Sequence, residues 1–149
     1  MKVVATNKRA KYDYEISERI VAGIVLSGQE VKSIKLGNVS LKGSYVSLQN
    51  NEAYLKNAHV NQYKMATNLE GYNPTQDRKL LLHKKELVGL VNAIKSEGKI
   101  VVPARIGIHK GLIKVEIAIG KSKKRYDKRE TIKKRDMLRD VGLEVKKNK

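Results

Sequence analysis

A mainly β fold is predicted: a small antiparallel barrel of five or six strands, with two or three short flanking helices and a basic C-terminal tail. Three observations predict it. Several runs of residues alternate apolar and polar with a period of two, the pattern of a half-buried strand. Only two internal stretches carry the i, i+3, i+4 spacing of an amphipathic helix. Beyond residue 120 the apolar content falls while the positive charge rises.

The strands come first. Ile20, Ala22, Ile24 and Leu26 alternate. Val46 to Leu48 and Tyr54 to Lys56 flank Asn50-Asn51, two residues that tolerate positive φ and so signal a tight hairpin. Ile100, Val102, Ala104, Ile106 and Ile108 alternate, and after a His109-Lys110-Gly111 turn so do Ile113, Val115, Ile117 and Ile119. Pro103 has no N–H for a ladder, so it belongs at an edge or a bulge. The helices are residues 29–36, ended by Gly37-Asn38, and residues 84–96, whose Leu87, Leu90, Val91 and Ile94 line one face before Gly98. The polar stretch from Asn61 to Arg78, with Gly71 and Pro74, reads as a long exposed loop.

The 149 residues suit one core, placed here at residues 1–120. The formal net charge is +17, which matches a polyanionic partner better than a small acidic substrate. With that charge, the barrel is expected to be of the oligonucleotide-binding type, which needs a basic groove and a few rings. Residues 121–149 hold 13 basic and 5 acidic residues and little to bury, so this tail is expected to be disordered alone and to fold on a partner. Asp127 and Glu130 are spaced as a capping box, and Leu138, Val141 and Val145 form a narrow apolar stripe. A helix poised to form there suits a nucleic-acid channel, and a solubilising tail is the plain alternative.

Function classes can be excluded on chemistry. There is no cysteine, hence no disulfide, thiolate metal site or thiol nucleophile. His59, His83 and His109 have no metal-ligand spacing, so no metal and no cofactor are expected. Gly120-Lys121-Ser122 lacks the earlier glycine of a phosphate loop, and no GxSxG is present. Asp13, Glu15 and Glu116 are the only candidate acid–base carboxylates, and the expectation is that the chain is not an enzyme. No run is long and apolar enough for a membrane helix and the first residues show no secretory signal, so a cytoplasmic monomer is expected, with no membrane and no small-molecule substrate. No phenylalanine is available for an RNA recognition motif, and no GXXG loop for a KH domain. Tyr12, Tyr72 and Tyr126 are candidates to stack on bases, whereas Tyr45 and Tyr54 are expected to pack within or across strands.

The chain carries Asn7-Lys-Arg-Ala10, Ala22-Gly23-x-x-Leu26-x-Gly28-x-Glu30-Val-Lys-Ser33, Ser44-Tyr45, Arg78-Lys-Leu-Leu-Leu-His83, Gly111-Leu-Ile-Lys-Val-Glu-Ile117, Gly120-Lys-Ser-Lys-Lys124 and Tyr126-Asp-Lys-Arg129, in that order over residues 6–140. In these motifs it resembles the SsrA-binding protein (small protein B) family. The resemblance implies an adaptor that binds the tRNA-like domain of transfer-messenger RNA and brings it to stalled ribosomes for trans-translation. It also implies that the tail lies against small-subunit rRNA, in the empty mRNA channel near the decoding centre. By the same resemblance Asn7, Lys8, Arg9, Glu30, Leu81 and Lys114 are RNA-binding residues. The resemblance likewise implies that Lys123, Lys124, Arg125, Tyr126, Asp127, Lys128, Arg129 and Met137 act at the ribosome. Leu81 is equally readable as a core leucine, and Glu30 as half of a structural ion pair. The chain departs from the family at Val21, where an acid is usual, and at Met137, where an aromatic is common. Gly142 weakens a tail helix by roughly 1 kcal/mol relative to Ala. The rival reading is a general RNA-binding or ribosomal protein on the same barrel.

Overall fold

The computed structural model describes residues 1–65 and 71–123. In chain order the elements are β1 (Lys2–Thr6), α1 (Ala10–Asp13), β2 (Tyr14–Ile24), α2 (Gly28–Lys35), β3 (Val39–Ser40), β4 (Tyr45–Gln49), β5 (Glu52–Lys56), β6 (His59–Val60), β7 (Arg78–Leu81), α3 (Lys84–Lys95), β8 (Ile100–His109) and β9 (Leu112–Ser122). Seven strands form one antiparallel sheet in the order β1-β8-β9-β2-β7-β5-β4, and β3 pairs with β6 in a small second sheet. The mainly β expectation stands, with more strands than the alternating runs suggested. The barrel-like sheet is not closed. The sheet curls until β4 lies against β8, but among the described residues no ladder joins them.

Both expected hairpins form for the expected reason. Asn50 and Asn51 have positive φ of 51° and 61° between β4 and β5, and Lys110 and Gly111 have 50° and 78° between β8 and β9. Two left-handed residues match the right-handed twist of the flanking strands.

The long β8 run corrects a simple reading of periodicity. Pro103 sits in the interior of the sheet, at a bulge where the pairing with β9 jumps from Pro103↔Ile117 to Arg105↔Glu116. An extra residue flips the faces that follow it. Val101 and Ile106 therefore share the main core, with Leu55, Leu90, Val115, Ile117 and Ile119. Val102 and Ala104 turn to the opposite side and join Ala10 and Ala118 beneath α1. A second bulge, between Ile16 and Glu18, does the same to β2: Ile16 packs under α1, while Ile20, Ala22 and Ile24 face the main core. The five residues from Ile100 to Ile108 thus do not lie on one face.

The expected end of the folded body at residue 120 falls inside β9, which stays paired with β2 through Ser122 opposite Tyr14. Lys123 N–H still donates to the Asp13 carbonyl at 3.0 Å.

Candidate nucleic-acid interface

The face of the sheet opposite the main core is built in rows. Along β9, Ala118, Glu116 and Lys114 point to this side, since residues two apart in a strand share a face. Ala118 is covered by α1; the next two rows are open.

The middle row holds charge. Glu116 is buried and accepts from Arg19 Nη1 at 2.8 Å and from Arg105 through Nε and Nη2. The Arg105 hydrogen bonds, then those of Arg19 and both positive charges, hold its carboxyl below the usual range against the upward push of burial. A carboxylate kept ionised between two guanidinium groups is a poor proton donor. Glu116 fixes two arginines, each about half exposed, on one surface.

The last row brings together two of the residues singled out by resemblance. Gly23 of β2 pairs with Lys114 of β9 on one side and Leu81 of β7 on the other. Strand spacing puts Leu81 and Lys114 about 10 Å apart, flanking the glycine. Burial in β7 alternates, with Leu80 at 3% and Leu81 at 53% exposure, which removes the core reading of Leu81. A Cβ on Gly23 would stand 3.2 Å from the Leu81 Cβ, tighter than side chains normally pack, so the missing side chain is what seats Leu81. Val21 and Val25, two residues either side of Gly23, are also exposed. An apolar ridge edged by lysine and arginine can pack a base against its aliphatic side chains and hold a phosphate on its charges.

The other expected residues are placed differently. Lys8 and Arg9 are exposed just before α1, on the covered end of the face, and the Arg9 guanidinium meets Asp13 at 3.5 Å. Thr6, which precedes them, pairs with Arg105, one row from Lys114. Asn7 is partly occupied: its side-chain amide donates to the Pro103 carbonyl at 2.9 Å, tying the chain end to the β8 bulge. Lys123 is half-buried beside α1. Lys124, Arg125, Tyr126, Asp127, Lys128, Arg129 and Met137 lie outside the described residues, as does the capping box at Asp127 and Glu130.

Glu30 is the clear correction. Its side chain is 2% exposed and has no face for RNA. One carboxylate oxygen accepts the Ser27 N–H at 2.9 Å, in a capping box that starts α2. The other accepts Gln76 at 3.0 Å and Arg78 Nε at 2.6 Å. Burial pushes this carboxyl up, but the hydrogen bonds from Ser27, Gln76 and Arg78, with the Arg78 charge, outweigh it and hold the carboxyl low. Arg78 also donates to the Ala58 carbonyl at 2.8 Å, the Pro74 carbonyl at 2.9 Å and the Tyr72 hydroxyl at 3.5 Å. Tyr72, a stacking candidate by sequence, is instead anchored by its hydroxyl donating to the Val60 carbonyl at 2.8 Å. Tyr45, expected to pack, is 45% exposed at the start of β4. The arginine pair and the Arg78 hub were missed by sequence reasoning. Ser27-x-x-Glu30 was a legible cap signal, whereas the Arg78 partners sit 4 to 48 residues away in sequence and leave no local pattern.

With this geometry in view, likeness to known proteins is decisive. The family described as SmpB protein matches residues 4–147. The chain belongs to the SmpB family. An SsrA-binding protein of Geotalea uraniireducens is 46% identical over 145 residues, 97% of this chain and 95% of that protein. One of Sulfurihydrogenibium sp. is 49% identical over the same length, with the same coverage. Among solved structures, a chain from "tmRNA-SmpB: a journey to the center of the bacterial ribosome" superposes with a TM-score of 0.66 at 36% identity, covering 86% of this SmpB-family chain and 93% of its own.

Proposed function

We propose that this chain is a non-catalytic adaptor of the bacterial cytoplasm. It binds the tRNA-like domain of transfer-messenger RNA (tmRNA) and delivers it to stalled ribosomes for trans-translation. The observation that carries this reading is its near end-to-end likeness to SsrA-binding proteins and to a chain of the tmRNA–SmpB ribosome structure. A net charge of +17 and an open face with Leu81 and Lys114 in one row support it.

In this reading Lys114, Lys8 and Arg9 neutralise phosphates, and Leu81 packs on an unstacked base. Asn7 offers its side-chain carbonyl to a ribose or base edge. The residues from Lys123 to Arg129, with Met137, act in the ribosomal mRNA channel. The sheet body holds the RNA, and the tail acts on the ribosome.

The test is to sequence the RNA that copurifies with the protein from its native cell. One dominant transcript with a tRNA-like end is expected; ribosomal RNA alone would instead indicate a general ribosomal protein. Incubation of the purified protein with labelled tmRNA should leave the RNA uncleaved and unmodified, and a processed product would overturn the non-catalytic reading.

A further inference from the structure

Two ladders of the seven-stranded sheet are only two pairs long among the described residues, β2–β7 and β5–β7, and the first of these seams runs between the two residues of the Leu81–Lys114 row. On the Lys114 side β2 is paired with β9 from Tyr14 to Gly23, and β9 with β8 from Leu112 to Gly120. On the Leu81 side β2 pairs with β7 only at Gly23 and Ile24, extended by one bond from Val25 N–H to the Lys79 carbonyl at 2.9 Å. So short a ladder leaves the β7-β5-β4 half free to shift against the rest unless something else fastens it.

What fastens it is the Glu30–Arg78 pair. Glu30 takes the Ser27 N–H three residues beyond β2, and Arg78 opens β7 three residues before Leu81. The same guanidinium clamps Ala58, beyond β5, and Pro74, in the connection leading to β7. The turn after β2, the start of β7 and the chain just beyond β5 are therefore tied through one buried carboxylate–guanidinium contact. We propose that Glu30 and Arg78 are positioning residues for RNA binding: together they bolt the β2–β7 seam and so hold Leu81 in line with Lys114, without touching RNA themselves. This rests on the functional reading above and explains how a buried acid serves a binding face.

The experiment titrates a transcript of a tmRNA tRNA-like domain into the full chain and into Glu30→Gln and Arg78→Lys variants. Ile117→Val serves as a control that loosens the core away from the seam. Amide hydrogen exchange is followed on the same samples. Glu30→Gln removes the charge, and Arg78→Lys keeps it but loses the planar fork that reaches several acceptors at once. Both should weaken RNA binding on the order of tenfold and speed exchange at Val25 and its β7 neighbours, with β8–β9 protection unchanged. Ile117→Val should bind like the parent. If either seam variant fails to fold, Glu30→Met combined with Arg78→Met removes both charges at once and is expected to recover stability. In that variant too, affinity must follow seam protection. Weakened binding with the seam intact, an open seam with full affinity, or an equal loss in Ile117→Val would each overturn the proposal. A parent chain that does not bind the transcript would overturn the functional reading itself.

Discussion

Gly107 and Leu81 show how differently single side chains are constrained in this sheet. A Cβ on Gly107 would fall 2.3 Å from the Lys2 carbonyl and 2.8 Å from Met1 Cγ, so β1 crosses β8 only because that side chain is missing. Gly107→Ala is expected to lift the start of β1 and cost about 1–3 kcal/mol, as overpacking usually does, measured by urea unfolding and by faster exchange of the β1 amides. Leu81 is the opposite case. Half exposed beside Gly23, it contributes little to folding, and Leu81→Ala should move stability by no more than about 0.5 kcal/mol. RNA affinity should nevertheless fall, and an unchanged affinity would remove Leu81 from the interface. Lys114→Ala should lower affinity and reduce the salt slope by about one, the signature of one lost phosphate contact. The sequence made Lys114 legible, because an alternating strand declares which residues face away from the core. It left Leu81 open, because three leucines in a row do not declare their phase until a partner strand is known.

Elements were readable where their cause is local and unreadable where it is not. The two hairpins follow from residues that accept positive φ, and α2 and α3 from spacing and caps, so all four are visible in the chain itself. The bulges at Pro103 and after Ile16 depend on how neighbouring strands pair, and each reverses the faces that periodicity alone assigns. The same limit hid β7, a strand of four residues whose role comes from its neighbours, and the buried contact at its start. That contact has a pH consequence. Glu30 and Glu116 both titrate below the ordinary carboxylate value of 4.5 in the folded chain. Such groups contribute stability that is fully present above 4.5 and is lost as pH falls through their depressed folded values. Thermal unfolding is therefore expected to show a steep fall in stability on the acid side of pH 4.5. Glu30→Gln should flatten part of that fall while lowering stability at neutral pH by about 3–5 kcal/mol, the usual cost of stranding one member of a buried pair.

At the scale of the whole molecule, charge and fold divide the chain unequally. Residues 124–149 carry 11 basic and 5 acidic residues, so a chain ending at Lys123 keeps +11 of the net +17. It also keeps all nine strands found among the described residues, because β9 needs Ser122 and the Lys123 N–H to finish against β2 and Asp13. A cut before Lys121 would remove the last pairs of that ladder and confuse loss of the tail with damage to the sheet. Truncation after Lys123 is the cleaner experiment. The exposed Leu81–Lys114 row and the Arg19–Glu116–Arg105 row remain, so affinity for the tRNA-like domain should stay within a few-fold of the full chain at low salt. Both proteins should lose affinity by orders of magnitude toward physiological salt, because several phosphates exchange their counterions for lysine and arginine. Peptide tagging on stalled ribosomes, measured in a reconstituted translation system, should disappear with the truncation even at saturating RNA. If the shortened chain fails to bind the RNA, the interface extends into the tail and the sheet face is not sufficient. If it binds and still supports tagging, the tail has no ribosomal task, and its dense positive charge serves solubility alone.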